Sequence, residues 1–245
     1  MMPRIVAEET LDHLSPDDPA AIRSRRDLVR IHKAMGTRSI VARGWQELMP
    51  TERTRGPLRI LEIGAGDGKL LLGVARSLSP RWPQVQLTLL DRQDIVHPRT
   101  LAAYGEWGWS AQTHVVDVLA WASGADSAAA GTRPQRWDLI TTTLFLHHFE
   151  GDALDRLLAG VASRTERFFA CEPSRSWLPL AGSHLVGAIG ANAVTREDAV
   201  LSVHAGFRDQ EISARWPGNR SGWRLQESAA GLFSHCFSAQ RNPVN

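Results

Sequence analysis

The stretch Leu58–Leu72, LRILEIGAGDGKLLL, constrains this chain more than any other. An apolar run (Leu58, Ile60, Leu61, Ile63) leads into Gly64, Gly66 and Gly68 at alternate positions, and a second apolar run follows. That order predicts a buried parallel strand, a tight loop and a helix start. A side chain at any of the three glycines would hold the backbone away from a ligand, and such a turn can require positive φ. The helix opening near Gly68 is expected to offer free N–H groups to whatever lies in the loop. The stretch therefore reads as a ligand cradle at the carboxyl end of a first strand.

From residue 58 onward the pattern alternates strand and helix. Strands are expected at Leu58–Ile63, Val85–Leu90 (ending in Asp91), Gln112–Val116 (ending in Asp117), Asp138–Leu146 and Arg167–Cys171 (ending in Glu172–Pro173). Helices are expected at about Gly68–Leu78, Pro98–Gly105, Asp152–Val161, Arg196–Ala205 and Asp209–Ala214. Trp223–Glu227 and Leu232–Ala239, joined through Gly231, predict a closing antiparallel pair. Strands alternating with helices give an α/β fold, a doubly wound parallel sheet with helices on both faces.

Ahead of the sheet, residues 1–16 read as loosely structured. Asp18 and Pro19 form an N-cap and first-turn pair for a helix running to Met35, with Ile22, Val29 and Met35 on its apolar face and Gly36 as its stop. A second helix, Ser39–Met49, puts Val41, Trp45 and Leu48 on one stripe, and Pro50–Pro57 links it to the first strand. Two roles stay open for this pair, a helical cap over the mouth of the next domain or a plain packing pair. The working division is a cap at residues 1–55 and a main domain at 56–245. Ser123–Arg136, rich in Gly, Ala and Ser, is expected to be a loop.

With 245 residues the chain can bury a full core. Its 28 Lys and Arg against 26 Asp and Glu leave it near neutral, and no basic run accompanies a recognition motif, which argues against a nucleic-acid partner. Cys171 and Cys236 are far apart with no C-x-x-C, so neither a disulfide framework nor a zinc site is expected. The N-terminus carries acids and no long apolar core, unlike a secretory signal, and a cytoplasmic protein is the expectation. Residues 176–195 hold no Asp, Glu, Lys or Arg, but their glycines, Pro179 and Asn192 make a poor membrane span; they are a candidate pocket wall.

In such a sheet ligands bind beyond the carboxyl ends of the strands. The glycine pattern departs from the dinucleotide fingerprint, because its third position falls on Lys69. Glu62 also places a carboxylate where a pyrophosphate would be repelled and a cation attracted. Asp91 is placed to accept from both hydroxyls of a ribose, or to cap a loop. Asp117 can accept from an exocyclic amine while the Val118 N–H reaches a ring nitrogen; capping the next helical turn is the equal alternative.

Together Glu62-x-Gly64-x-Gly66-x-Gly68, Asp91, Asp117 and the segment DLITTTLFLHHF resemble the class I S-adenosylmethionine-dependent methyltransferases. The likeness is to the small-molecule branch that acts on quinones and natural products, and it spans about residues 56–175. The resemblance implies a Rossmann-like, seven-stranded, mostly parallel sheet with the antiparallel C-terminal hairpin beside strand 5. It implies that Glu62 and the backbone of Gly64, Ala65, Gly66 and Gly68 surround the methionine part of the cofactor. Asp91 would hold the ribose, Arg92 flank the adenine, Asp117 and Val118 read its edge, and the backbone at Thr143–Leu144 meet the ammonium.

Methyl transfer from a sulfonium is an in-line displacement needing alignment, a dry pocket and, for a hydroxyl acceptor, a route for the proton. His147 and His148 leave strand 4 beside the expected methyl group; on a strand only one of them would face the acceptor. Each is a candidate base or a packing residue, and His184 is a further base candidate. Trp45, Glu172 and Trp177 are candidate contacts to the acceptor. No metal-binding acid cluster is evident, so no metal is expected. The expected reaction is O-methylation of a small, largely apolar phenolic or polyketide-like acceptor, with C- and N-methylation as alternatives. An NAD-dependent oxidoreductase and a non-catalytic cofactor-binding protein are the rival readings. Oligomeric state is left open.

Overall fold

The computed structural model describes residues 2–49, 56–125, 135–218 and 222–243, so residues 50–55 of the expected linker and 126–134 of the expected loop lie outside the described residues. At the centre is β1 (Leu58–Ile63), buried along nearly its whole length because it carries apolar residues on both faces. It pairs in parallel with β2 (Val85–Asp91), Ile60 opposite Leu87, and on its other side with β4 (Leu139–Thr143), Ile60 opposite Leu139. With β3 (Trp109–Val115), β5 (Arg167–Pro173), β6 (Trp223–Ala230) and β7 (Ser234–Arg241) the sheet order is β3-β2-β1-β4-β5-β7-β6. The last two strands are antiparallel, β7 against both β5 and β6. The chain winds outward from β1 to β3 and then returns to β4 on the other side. That reversal puts the topological switch point between β1 and β4, beyond whose carboxyl ends a ligand crevice opens.

Two apolar clusters cover the two faces. One joins α3 (Thr37–Leu48), α4 (Lys69–Leu78) and α5 (Pro98–Gly105) to the sheet through residues such as Val41, Trp45, Leu71, Val74 and Tyr104. The other gathers α6 (Val118–Ser123), α7 (Gly151–Arg164) and residues 212–216 through Trp121, Leu154, Leu158, Val161 and Trp216. Among the described residues no helix is long and apolar enough to cross a membrane.

The N-terminal segments divide differently from the expectation. A short α1 (Thr10–His13) lies within the stretch expected to be loose. α2 (Pro19–Met35) starts and stops as expected, with Asp18 accepting from the Ala20 N–H at 2.6 Å and Gly36 at φ 68°. Its buried face, however, is Ala21, Ser24 and Asp27, while Ile22 and Val29 are exposed. Polar pairing decides this: Asp27 accepts from the Asn192 N–H at 2.9 Å and Ser24 donates to Asn192 Oδ1 at 3.0 Å. α3 packs flat on the sheet. Trp45 is fully buried between Trp82 and Trp109, with ring centroids 6.5 and 6.4 Å away, and its indole N–H reaches Thr141 Oγ1 at 3.3 Å. The expectation that Trp45 meets an acceptor is therefore corrected: it is core.

Two further elements differ from the sequence reading. β3 starts at Trp109, earlier than expected, because that indole is buried and bonded to the Trp82 carbonyl at 3.0 Å. β4 stops at Thr143 because Leu144 turns to φ +54°, and Leu146–His148 form a 3-10 turn instead of a strand end. The uncharged stretch folds as α8 (Trp177–Leu185) and a 3-10 turn at Val186–Ile189, leading to α9 (Ala193–Ala205) and α10 (Glu211–Arg215).

Trp45→Ala is expected to lower the unfolding free energy by about 3–5 kcal/mol, the cost of removing a large aromatic side chain from a packed core. Urea unfolding followed by circular dichroism measures it. A loss under about 1 kcal/mol would mean the three-indole stack is not part of the stabilising core.

Candidate functional site

Beyond the carboxyl ends of β1, β2 and β4 lies a cavity of about 1520 Å³. Single small-ligand pockets run to roughly 300–1,000 Å³, so this cavity exceeds the size of one such pocket. One part is walled by the glycine loop and the ends of β1, β2 and β4; the rest is bordered by α2, by α8 and α9, and by the N-terminal segment around Glu9 and Asp12. Of the expected cap, then, α2 borders the cavity along its length, while α3 reaches it only at its start, through Arg38 and Ser39.

The glycine loop explains its own composition. Gly64, Gly66 and Gly68 have φ of 73°, 55° and 71°. A Cβ on Gly64 would come within 2.2 Å of the Phe145 ring, whereas one on Gly66 would meet open space. Most of the amide groups of the loop itself are already bonded. The N–H groups of Gly64 and Ala65 donate to the Leu90 carbonyl at 2.9 and 3.1 Å, and that of Gly66 to Asp91 Oδ2 at 2.8 Å. Gly68 donates to the Ala65 carbonyl and Lys69 to Asp67 Oδ1, while the Tyr104 hydroxyl holds the Gly68 carbonyl at 2.6 Å. With the glycine amides occupied and Asp67 and Asp91 bonded into the loop, its polar surroundings suit an anion poorly.

Carboxylates dominate this side. Glu62 is 2 % exposed, and its Oε2 has no hydrogen-bond partner among the described residues. Burial first, then the charges of Asp91 and Asp67, push its carboxyl well above the usual range. Asp91 takes the Gly66 and Gln93 N–H groups on its two oxygens, which leaves further lone-pair positions on each. Asp117 caps α6 through Oδ1 alone, accepting from Leu119 and Ala120. Arg92 is drawn toward the N-terminal segment, donating to the Asp12 carbonyl with Asp12 Oδ1 3.6 Å away. Val118 and Thr143 line the cavity, as does Leu144, whose N–H is held by the Cys171 carbonyl at 2.8 Å. Asp67 is paired with Lys69 at 2.6 Å.

Three more polar atoms lining the same cavity are buried without a partner among the described residues: Thr143 Oγ1, His32 Nε2 and Thr195 Oγ1. Burial is the main cause that lowers His32 to about 4, so its imidazole is neutral. Buried polar groups are normally satisfied, and a cluster of orphans around one cavity points to a ligand that satisfies them.

On the opposite side the 3-10 turn brings both histidines to the cavity. Their rings are neighbours, with centroids 4.3 Å apart, rather than on opposite faces of a strand. Glu172 builds this turn. It is fully buried, not a solvated loop acid, and does not line the cavity. Its carboxylate accepts from the Phe145, Leu146 and His147 N–H groups at 3.0–3.3 Å and holds His147 Nδ1 at 2.8 Å. Its expected role toward an acceptor is therefore corrected to that of orienting His147. His147 Nε2 faces Glu9 Oε1 at 3.3 Å. Burial alone would lower His147, but the hydrogen bonds to Glu172 and Glu9 outweigh it and raise it to about 9. His148 faces Asp12 Oδ2 through Nδ1 at 3.4 Å. Burial, then the neighbouring His147, hold it below the ordinary 6.5. The two histidines thus take opposite protonation states at neutral pH.

Glu9 and Asp12 had no signal in the sequence, since they stand far from the strand ends. A docked N-terminal segment carries them. Arg4 donates to the carbonyls of Ala205, His147 and Phe149, the Ile5 N–H to the His204 carbonyl, and Asp198 accepts from the Thr10 and Leu11 N–H groups. Two expected residues fall elsewhere. His184 is on the exposed side of α8, outside the cavity lining, and Trp177 is 80 % exposed and also outside it.

No protein-family model matches the sequence, and no curated protein does. Solved structures do match in fold. An O-methyltransferase family protein from Burkholderia thailandensis superposes with a TM-score of 0.58 at 14% identity, covering 94% of this chain and 61% of its own length. The mitomycin 7-O-methyltransferase MmcR gives 0.52 at 17% identity, covering 95% and 60%. This chain spans about three fifths of the length of either, and shares with them the Rossmann-like methyltransferase fold.

Glu62→Gln is expected to stabilise the ligand-free protein at neutral pH. A carboxyl raised by folding favours the folded state below its unfolded value of 4.5, and that contribution is lost as pH rises through the folded value. The variant's gain in urea midpoint over the parent should therefore grow from pH 5 to pH 9. A constant difference would mean Glu62 is not desolvated.

Proposed function

We propose that this chain is a class I S-adenosylmethionine-dependent methyltransferase acting on a small, largely apolar acceptor, most simply at a hydroxyl. One observation carries the reading: a glycine loop with its amides already bonded lies beside Glu62, a buried carboxylate with an unpartnered oxygen. A pyrophosphate would add negative charge beside Glu62, Asp67 and Asp91; a ligand bearing an ammonium and a sulfonium offsets those charges and favours the ionised form of Glu62. The same observation weighs against an NAD-dependent oxidoreductase.

In this reading Glu62 and the Gly64–Gly68 backbone surround the methionine part, and the ammonium approaches the backbone at Thr143–Leu144. The remaining lone pairs of Asp91 take the ribose hydroxyls. Arg92 flanks the adenine, and Asp117 Oδ2 and Val118 meet its edge. The acceptor occupies the rest of the cavity, between α2 with its Leu28, Ile31 and Met35 and the α8 wall at Pro179, Gly182 and Ser183. His32 and Thr195 are there to hydrogen-bond its polar groups. Residues 1–55 then serve as part cap and part core, and 56–245 as the transferase domain.

His148 is the group that handles the acceptor's proton, because it lines the cavity, is uncharged and has a carboxylate at Nδ1. In the displacement the S–CH₃ bond breaks with its electron pair returning to sulfur, which becomes a neutral thioether. The O–CH₃ bond forms, and the hydroxyl proton passes to His148. His147 is bonded on both nitrogens and acts as an orienting neighbour, not a base. C-methylation of an activated ring also releases a proton and is the second reading.

Calorimetry with S-adenosylmethionine, S-adenosylhomocysteine and NAD tests the cofactor assignment; both methionine cofactors are expected to bind, and binding of NAD alone would overturn it. Asp91→Ala should weaken cofactor binding by about 1–3 kcal/mol, roughly 5- to 150-fold in Kd. Against a panel of phenols, with release of S-adenosylhomocysteine as the readout, His148→Ala should lower turnover by about 10²–10⁴-fold at unchanged cofactor affinity. A near-normal rate would remove His148 from the chemistry.

A further inference from the structure

Glu9, His147 and His148 bring one carboxylate and two imidazoles together from opposite ends of the chain. Their donor atoms all lie within 4.8 Å of one another. The His147 Nε2 to Glu9 Oε1 separation of 3.3 Å is close to the edge of a tetrahedron with metal–ligand bonds of roughly 2.0–2.2 Å. His148 is partly exposed, which leaves its ring room to turn toward the other two donors.

A second observation is independent of that proximity. Each histidine has a carboxylate on its Nδ1, Glu172 at 2.8 Å from His147 and Asp12 at 3.4 Å from His148. That arrangement fixes ring orientation and leaves Nε2 as the lone-pair nitrogen, the pattern by which metal-bound histidines are supported. The Ser202 hydroxyl donates to Glu9 Oε1 and orients the third donor. Three carboxylates, Glu9, Glu172 and Asp12, surround the two imidazoles, with Asp12 shared with Arg92, and all three donor residues line the cavity.

We propose that Glu9, His147 and His148 bind one divalent transition-metal ion, with zinc the best match to two imidazoles and one carboxylate, and that a fourth position stays open to the cavity. The ion replaces the proton now held between His147 and Glu9. Its open position suits an oxygen donor, such as the hydroxyl of an acceptor or a water. The role toward an acceptor rests on the methyl-transfer reading; the binding of the ion does not. A hydroxyl bound to the ion loses its proton more readily, so the ion and a free His148 are alternative means of handling the same proton.

The experiment uses the full chain after chelator treatment and dialysis, titrated with Zn²⁺ by calorimetry and with Co²⁺ by its visible absorption. One ion per chain is expected, with a Co²⁺ spectrum of low, near-tetrahedral coordination. Glu9→Gln and His148→Ala should each weaken binding at least about tenfold, and Glu172→Gln by about 10–100-fold through His147. His184→Ala, on the exposed side of α8, should leave it unchanged. Circular dichroism and the thermal midpoint confirm that each variant folds; Glu9→Gln, on the docked N-terminal segment, keeps the test decisive if Glu172→Gln does not.

Absence of a 1:1 complex, or one that survives the combined Glu9→Gln and His148→Ala variant, would overturn the proposal. Cofactor calorimetry reports separately on methyl transfer. A chain that binds S-adenosylmethionine but no metal loses only this site, and one that binds zinc but neither methionine cofactor loses only the methyltransferase reading.

Discussion

The carboxylate of Glu172 decides where the chain goes after β4, and much of the site depends on it. A strand that simply continued past Thr143 would carry Phe145, His147 and His148 along the sheet edge with alternating faces. Instead Leu144 turns left-handed and Glu172 gathers the next three N–H groups and an imidazole nitrogen. A buried charge is tolerable only when so many donors meet it. The result is a turn too constrained to relax, with Phe145 pressed against Gly64 and both histidines facing the cavity.

The turn in turn recruits the N-terminal segment. Arg4 reads the carbonyls of His147 and Phe149, and Glu9 meets the far nitrogen of His147. Asp198 on α9 fixes α1 by accepting its first amides. These are polar contacts of specific geometry rather than burial of an apolar stripe, which is why a segment with little hydrophobic pattern has a defined place. The same physics governs α2, where Ser24 and Asp27 face inward toward Asn192 and two aliphatic residues are left outside.

That distinction marks what the sequence made legible. Strand and helix order followed from local apolar runs and glycines, so β1, its loop, α4 and the closing hairpin were readable. Glu62, Asp91 and Asp117 were readable as strand-end acids, because their place depends only on where a strand stops. Trp45 was misplaced because an indole on an amphipathic stripe looks the same whether the helix lies over a cavity or on a sheet. The shared face of His147 and His148 was hidden because the strand ends at a non-glycine residue with positive φ, which no local pattern announces. Glu9 and Asp12 were invisible because their partners lie far along the chain, 138 positions away for Glu9 and His147 and 80 for Asp12 and Arg92. The occupied amides of Gly64, Ala65 and Gly66 were equally hidden, since their acceptors come from the end of β2.

One consequence joins the two sides of the cavity. Asp12 contacts Arg92 at the end of β2 and also faces His148 on the turn after β4. Three residues earlier, Glu9 meets His147. The segment from Glu9 to Asp12 therefore lies across the switch point, bound on one side to the cofactor half of the proposed site and on the other to the half that handles the acceptor. Neither side is a large apolar surface: Asp12 pairs with Arg92 and Glu9 with the charged His147, while Asp12 also faces the uncharged His148 ring. Polar contacts of defined geometry thus hold a stretch with little hydrophobic pattern across the mouth of the cavity.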